Sequence, residues 1–401
     1  MPPPNKPSSF FPLGLFLASF LFVIKDSAGL IALPWRVMEL GGRSMAVGAV
    51  GTLSLGMYMA SCLLIRSLSI QAGPRRLITT CCLVTAVILA AMPLTSNVGL
   101  VLILVGLKGA VMGMFWPSVM GWISAGTEGA PLNRRLSAFS FSWAVGAIAG
   151  SWLGGFLFSV VYWLPFAVGF VMSILTFLSV YPLNEKTESE TPESVDTGME
   201  PVHPHLMTFK WITRIGLLVG WIAFGTIRVP IAGLIKELDP ARGPNLHAWS
   251  AAGINLVLVL SFFVLGRTRA WHYRFGILAL GQLALAITLA GVGLSQTGAQ
   301  IIICCLLATP ALALVYSSHL YYSVSGVGAR RQRSAALHEL ILASGFAFGS
   351  FGGGAWGQAF GIRSVFYAAA GIVLITVAAQ TVLALRPKSL QPAVLLKETR
   401  P

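Results

Sequence analysis

The sequence predicts an all-α membrane protein of twelve transmembrane helices, built as two pseudo-symmetric six-helix bundles. Composition carries the first half of that reading. Of 401 residues, 56% are hydrophobic and 10% charged, with a mean hydropathy of +0.79. A soluble domain carries about a quarter charged residues. Apolar runs near the roughly 20 residues that cross a bilayer recur along the whole chain, and strand-like alternation is absent, so helices must satisfy the backbone. An internal repeat carries the second half. The stretch N-R-R-L-S-A-F-S-F-S-W-A-V-G-A-I-A-G-S-W-L-G-G from Asn133 to Gly155 is echoed from Gln332 by Q-R-S-A-A-L-H-E-L-I-L-A-S-G-F-A-F-G-S-F-G-G-G. A shift of 199 positions lays Arg134 on Arg333, Gly146 on Gly345, Gly150-Ser151 on Gly349-Ser350 and Gly154-Gly155 on Gly353-Gly354. Half-chain periodicity means two similar halves, and periodic glycines in apolar helices mean close helix–helix contact.

The apolar run from Phe10 to Ile24 resembles a signal peptide. However, V-M-E-L at Val37–Leu40 matches I-K-E-L at Ile235–Leu238, which gives the first span its own repeat partner. Expected spans are 11–33, 45–65, 77–94, 98–120, 137–159 and 163–183 in the first half, and 210–232, 248–266, 275–294, 299–324, 337–358 and 364–385 in the second. This divides the chain into an N-terminal bundle (1–183), an acidic linker (184–208), a C-terminal bundle (209–386) and a tail (387–401). The linker has the composition of a disordered segment. Basic loops at Arg66–Arg76, Arg134-Arg135, Arg267–Arg274, Arg330–Arg333 and the tail fall on one side of a twelve-span count. The opposite loops carry almost no Lys or Arg, which predicts cytoplasmic termini, with a bacterial inner membrane the expected location. The same bias accounts for the formal charge of +14; the basic clusters are short and dispersed, so nucleic-acid binding is not expected. Cys62, Cys81, Cys82, Cys304 and Cys305 lie inside apolar runs without C-x-x-C spacing and read as packing residues.

Six plus six spans, an acidic central linker and Gly146-x-x-x-Gly150-Ser151-x-x-Gly154-Gly155 in span 5 resemble the major facilitator superfamily, whose span-5 motif reads G-x-x-x-G-P-x-x-G-G. Ser151 stands where the family has proline. The family's loop between spans 2 and 3 reads G-x-x-x-D-R-x-G-R-R; Gly73, Arg75 and Arg76 are similar to its end, and the acidic residue is missing. The resemblance implies transport by alternating access, with spans 1, 4, 7 and 10 lining a central site.

Polar residues at membrane depth are the functional candidates, because burying them in hydrocarbon is costly. Lys25 and Asp26 fall near the middle of span 1; neighbours on a helix point about 100° apart, so at least one of them is expected to face the cavity, against the alternative of a neutralised pair that only packs. Lys108 in span 4 stands near mid-membrane and is similar to the family's span-4 arginine, against a snorkelling lysine. Arg228 in span 7 is a substrate-binding or an interfacial residue. His319 and Tyr322 end span 10; His319 is a proton relay, a solute ligand or a histidine bonded to a neighbouring helix. His338 and Glu339 are expected to cap span 11. Trp116 and Trp143 read mainly as packing, with lining of the cavity as the alternative, and Asn255 and Gln282 as helix-bridging amides.

No nucleophile motif, metal cluster, phosphate loop or cofactor fingerprint occurs, so an enzyme is not expected and transport must draw on an existing gradient. The expected activity is secondary transport of a small anionic or zwitterionic solute, with protons as the coupling ion, the bilayer as surroundings and the chain acting as a monomer. The alternative is a transporter-derived sensor or assembly factor. Asp26 is the candidate coupling carboxylate.

Overall fold

The computed structural model describes residues 13–124, 129–183, 205–324 and 331–385, with side chains left out at 63–72, 124, 129–134, 136–137, 324 and 331–336. The described residues form helices and no strands. The N-terminal half contains α1 (Leu13–Glu39), α2 (Ser44–Ala72), α3 (Pro74–Ala91), α4 (Val98–Ser124), α5 (Gly129–Val160) and α6 (Leu164–Val180). The C-terminal half contains α7 (Leu206–Arg228), α8 (Ile231–Leu238), α9 (Gly243–Arg267), α10 (Phe275–Leu294), α11 (Gly298–Val324), α12 (Arg331–Phe360) and α13 (Ile362–Leu385). The short α8 continues the α7 crossing, so twelve crossings result. Ten of them, counting Leu206–Leu238 as one, are long and apolar enough to span a bilayer. The α7/α8 break is local chemistry: Pro230 has no N–H, and the residue before a proline avoids helical backbone, so Val229 swings to φ −122°.

Several boundaries differ from the sequence reading. The expected loop around Arg66–Arg76 is helix apart from Gly73, whose φ of +73° turns the chain sharply from α2 into α3. Arg134-Arg135 lie in α5, and Arg331 and Arg333 in α12. Glu39 ends α1 and Glu237 lies in α8, where loops were expected. Leu206 opens α7 inside the expected linker, of which 184–204 fall outside the described residues, as does the tail from 386.

Small residues set the helix contacts. A Cβ on Gly146, Gly150 or Gly154 would strike the backbone of Phe20, Ile24 or Ala28, so α5 lies directly on α1. In the second half, Gly345 and Gly349 approach Leu218 and Ile222 of α7 equally closely, and Gly353 sits on Pro230. The second glycine of each Gly-Gly pair faces the other bundle: Gly155 meets Pro244 of α9, and Gly354 meets Ser44 and Gly48 of α2. The bundles therefore join along α5/α9 and α2/α12.

The two repeat serines add hydrogen bonds to those seams. Asn255 Nδ2 on α9 donates to Ser151 Oγ and to the Ala147 carbonyl, each at 3.1 Å, and Ser350 Oγ donates to the Gly48 carbonyl at 2.7 Å. Ser151, at the family's proline position, thus serves as a bundle-to-bundle acceptor.

The apolar core is arranged unequally along the membrane normal. At the end remote from the chain termini, one continuous cluster crosses between bundles, taking in Leu33, Trp35, Val37 and Val47 from one and Ile227, Val229, Ile231 and Leu234 from the other. At the terminal end each bundle has its own cluster. Leu15, Phe22, Ile78, Phe115 and Ile123 form one, and Leu206, Phe209, Trp271, Leu278 and Tyr322 the other. Among the described residues the apolar core seals the bundles together at the far end and is divided between them at the terminal end. Large apolar side chains exposed on the outer helices, such as Val87, Ile103, Leu280, Ile287, Ile303 and Leu307, present a hydrocarbon-facing belt. This is an integral, multi-pass membrane protein.

Candidate functional site

The polar centre of the membrane region lies between α1 and α4. Lys108 Nζ stands 2.7 Å from Asp26 Oδ1, and Lys25 Nζ stands 3.4 Å from the same oxygen. Two ammonium groups thus share one carboxylate oxygen, a triad with a formal charge of +1. Its members are not equivalent. The Lys25 side chain is fully buried, with Nζ 3.2 Å from the centroid of the Phe22 ring and Cβ near Gly169 of α6, so it points into the interior of its own bundle. Asp26, one residue on, turns toward α4, keeps 14% of its side chain exposed and leaves Oδ2 without a hydrogen-bond partner. Helical geometry demands this divergence. Lys108 does not snorkel: it is buried and ion-paired, and the end of its stem lies alongside Gly29 of α1. An ammonium–carboxylate contact in so dry a setting persists because each partner offsets the other's desolvation.

The aromatic side chains beside the triad pack on one another. Phe22 stacks on Phe115 at 3.6 Å, and Trp116 meets Phe22, Phe115 and Phe139 edge-on. Trp143 lies exposed on α5.

The remaining candidates are dispersed. Arg228 is not an interfacial anchor: it is buried at the α7/α8 break, where Nη1 donates to the Ala251 carbonyl at 3.1 Å and the guanidinium lies against Phe224. His319 pairs with His338 across α11 and α12, their Nδ1 atoms 2.7 Å apart, and both Nε2 atoms are buried without partners. The expected capping by His338 and Glu339 does not occur, because α12 begins at Arg331 and puts them beyond its first turn. Tyr322 is fully buried in the C-terminal bundle, and its hydroxyl accepts the backbone N–H of Tyr273 at 2.6 Å, holding the α9–α10 connection. Gly73 forms the α2/α3 corner, the Arg75 guanidinium lies 5.1 Å from the Tyr181 ring, and Arg76 is exposed.

Some residues escaped the sequence reading. His247 on α9 receives a hydrogen bond from Trp35 of α1. Gln380 on α13 accepts from Gln282 at 2.7 Å and donates to the Ile212 carbonyl at 2.9 Å. A lone histidine or glutamine in an apolar span was the available signal. The five cysteines are free, Cys81, Cys82 and Cys305 buried and Cys62 and Cys304 half-buried, and among the described residues no group of three or more His, Cys, Asp or Glu could hold a metal ion.

Comparison with known proteins decides the family. The sequence matches the family model described as Major Facilitator Superfamily over residues 15–337. The chain belongs to the Major Facilitator Superfamily. Its repeat glycines, its α5 motif with Ser151 in the proline position and the twelve crossings are therefore this family's architecture. No curated protein matches the sequence. Among solved structures, the nucleoside transporter NupG is similar with a TM-score of 0.74 at 13% identity, over 94% of this chain and 100% of that one. A bacterial homologue of the human lysosomal transporter Spinster, in an inward-facing and unoccupied conformation, gives 0.72 at 15% identity, over 95% and 98%. A mutant of the peptide transporter POT, in complex with alafosfalin, gives 0.71 at 13%, over 93% and 94%. At such identities these likenesses establish the superfamily fold of this chain.

Proposed function

We propose that this member of the superfamily is a secondary active transporter that moves a small anionic or zwitterionic solute by alternating access, driven by protons through Asp26. The observation that carries the proposal is the Asp26–Lys108 ion pair at mid-membrane within the N-terminal bundle, in a chain whose two bundles share one apolar core at one end and have separate cores at the other. An ionised Asp26 holds Lys108. When the carboxyl takes a proton the attraction is lost, and the Lys108 ammonium is released to an anionic group of the solute. The surplus positive charge of the triad favours such a group. Carboxyl protonation and solute binding then reinforce one another, which is the linkage a proton-driven cycle needs.

The excess of Lys and Arg at the terminal end supports a cytoplasmic location for it, with the 184–208 linker joining the bundles there. On that topology the end with separate cores opens inward, the state described for the Spinster homologue. The joined seams along α2/α12 and α5/α9 are the surfaces over which the bundles rock.

A thermal-shift screen over anions, amino acids, sugars and drugs identifies the solute, and flux in reconstituted vesicles separates a transporter from a sensor, which binds without net movement. Asp26→Asn mimics the protonated carboxyl, so solute exchange persists and dependence on a pH gradient disappears. Retained gradient dependence in that variant overturns the role of Asp26.

A further inference from the structure

The seal at the far end contains one titratable side chain whose hydrogen bonding fixes its protonation state. Trp35 near the end of α1 belongs to the N-terminal bundle, and His247 in the first turns of α9 belongs to the other. The Trp35 ring lies against Gly243, where any side chain would collide with it, and its Nε1 is 3.3 Å from His247 Nδ1. The opposite ring nitrogen, Nε2, is 3.0 Å from the Arg228 carbonyl. An indole N–H is a donor only and a carbonyl an acceptor only, so this arrangement admits one form of His247: neutral, with a bare Nδ1 and a proton on Nε2. Both ring nitrogens are then satisfied, as a residue only 1% exposed requires.

A second proton can reside only on Nδ1, where it would face the Trp35 N–H head-on. It would also place a cation beside the buried Arg228 guanidinium. Among the described residues, the groups around the imidazole offer it no counter-charge. Arg228 and, beyond it, Cys305 are the titratable groups that α7 and α11 bring near. On α1, Arg36 turns the other way, to the Thr95 carbonyl and Glu39. On α5 the neighbours at this level are Gly155 and Ser159.

We infer that His247 is a proton-binding site whose occupation and the closure of the far end exclude one another. This rests on the alternating-access reading above and adds a second titrating residue to it, in the gate and not beside Asp26. With the far end open, Nδ1 faces water and takes a proton from the solution on that side, as a free imidazole does near pH 6.5. The Trp35 bond re-forms only after that proton has returned to solution. Acid on the far side therefore holds the gate open.

The test needs no solute. Spin labels at Arg43→Cys and Lys236→Cys, which flank the crevice between the bundles at the far end, report opening by their separation in a background lacking the native cysteines. The pH is varied between 7.5 and 5.5, a window that brackets the titration of an imidazole in water. In the otherwise native chain the ratio of far-open to far-closed molecules should rise about tenfold over that window, the shift expected when one imidazole takes its proton only in the open state, near pH 6.5. His247→Leu should abolish the rise. Trp35→Phe, which keeps the aromatic packing and removes the donor, should raise the far-open fraction already at pH 7.5 and flatten its pH dependence. A native response that survives His247→Leu, a far-closed fraction unaffected by Trp35→Phe, or no native response overturns the inference. Asp26→Asn should keep the full response, so failure of the carboxylate mechanism and failure of this one are told apart.

Discussion

Adding one methyl group should have opposite effects at two helical glycines. At Gly150 a Cβ would lie 2.7 Å from Ile24 Cα and 2.9 Å from its carbonyl carbon, with the Ile24 oxygen nearer still. Non-bonded carbons settle at about 3.5–4.0 Å, so α1 must withdraw by about 1 Å along a contact that also includes Phe20 and Ala28. Backbone cannot rotate aside as a side chain can. Overpacking of this kind costs about 1–3 kcal/mol. Gly371 in α13 has nothing within 4 Å of the added atom. There an alanine gains about 0.5–1 kcal/mol of helix propensity with no collision. Gly150→Ala and Gly371→Ala should therefore differ by roughly 1.5–4 kcal/mol in unfolding free energy, with Gly349→Ala behaving like Gly150→Ala. Denaturant titration in detergent micelles reads this directly. Equal stabilities for the Gly150 and Gly371 variants would show that α5 does not rest on α1 through its glycines.

Alanine at Gly155 or Gly354 presses on the other bundle, at Pro244 or Gly48; these variants should stay folded and shift toward the far-open state, read as faster maleimide labelling of an Ile31→Cys reporter in the seam, where Ile31 is fully buried. Lys108→Met leaves Asp26 with the more distant Lys25 and should cost about 3–5 kcal/mol, much of it recovered in the Asp26→Asn/Lys108→Met double variant; additive losses would show that the two do not interact. Reporter fusions at Thr191 and Thr399 should both read cytoplasmic, and a periplasmic signal at either would reverse the proposed topology.

The fold was legible because its signals are periodic. Close helix contact needs small residues at three- and four-residue spacing, and the shift of 199 positions repeated that requirement at Gly146/Gly345 and Gly150/Gly349. Where the apolar pattern stops is less informative. The α12 helix has 30 residues, about 45 Å at 1.5 Å per residue, against a hydrocarbon core of about 30 Å. Its polar first turns lie beyond the apolar pattern, which is why His338 and Glu339 read as a cap. For the site, the sequence supplies an inventory and no azimuth. Lys25 and Asp26 were indistinguishable until α4 and α6 took up positions on either side of α1. Arg228 stayed open between a solute ligand and an interfacial anchor because the acceptor that holds its guanidinium, the Ala251 carbonyl, lies on another helix, 23 positions away. His247 acquires meaning only from Trp35, 212 positions away in the chain.

The central claim is that Asp26 couples solute movement to protons, and accumulation in reconstituted vesicles tests it most directly. With the solute from the thermal-shift screen and an imposed pH gradient, the native chain should concentrate it above equilibrium and lose that ability when a protonophore collapses the gradient. Asp26→Asn should exchange labelled solute across the membrane at equal concentrations yet fail to concentrate it at any gradient. Gradient-driven accumulation by the Asn variant equal to that of the native chain would contradict the account.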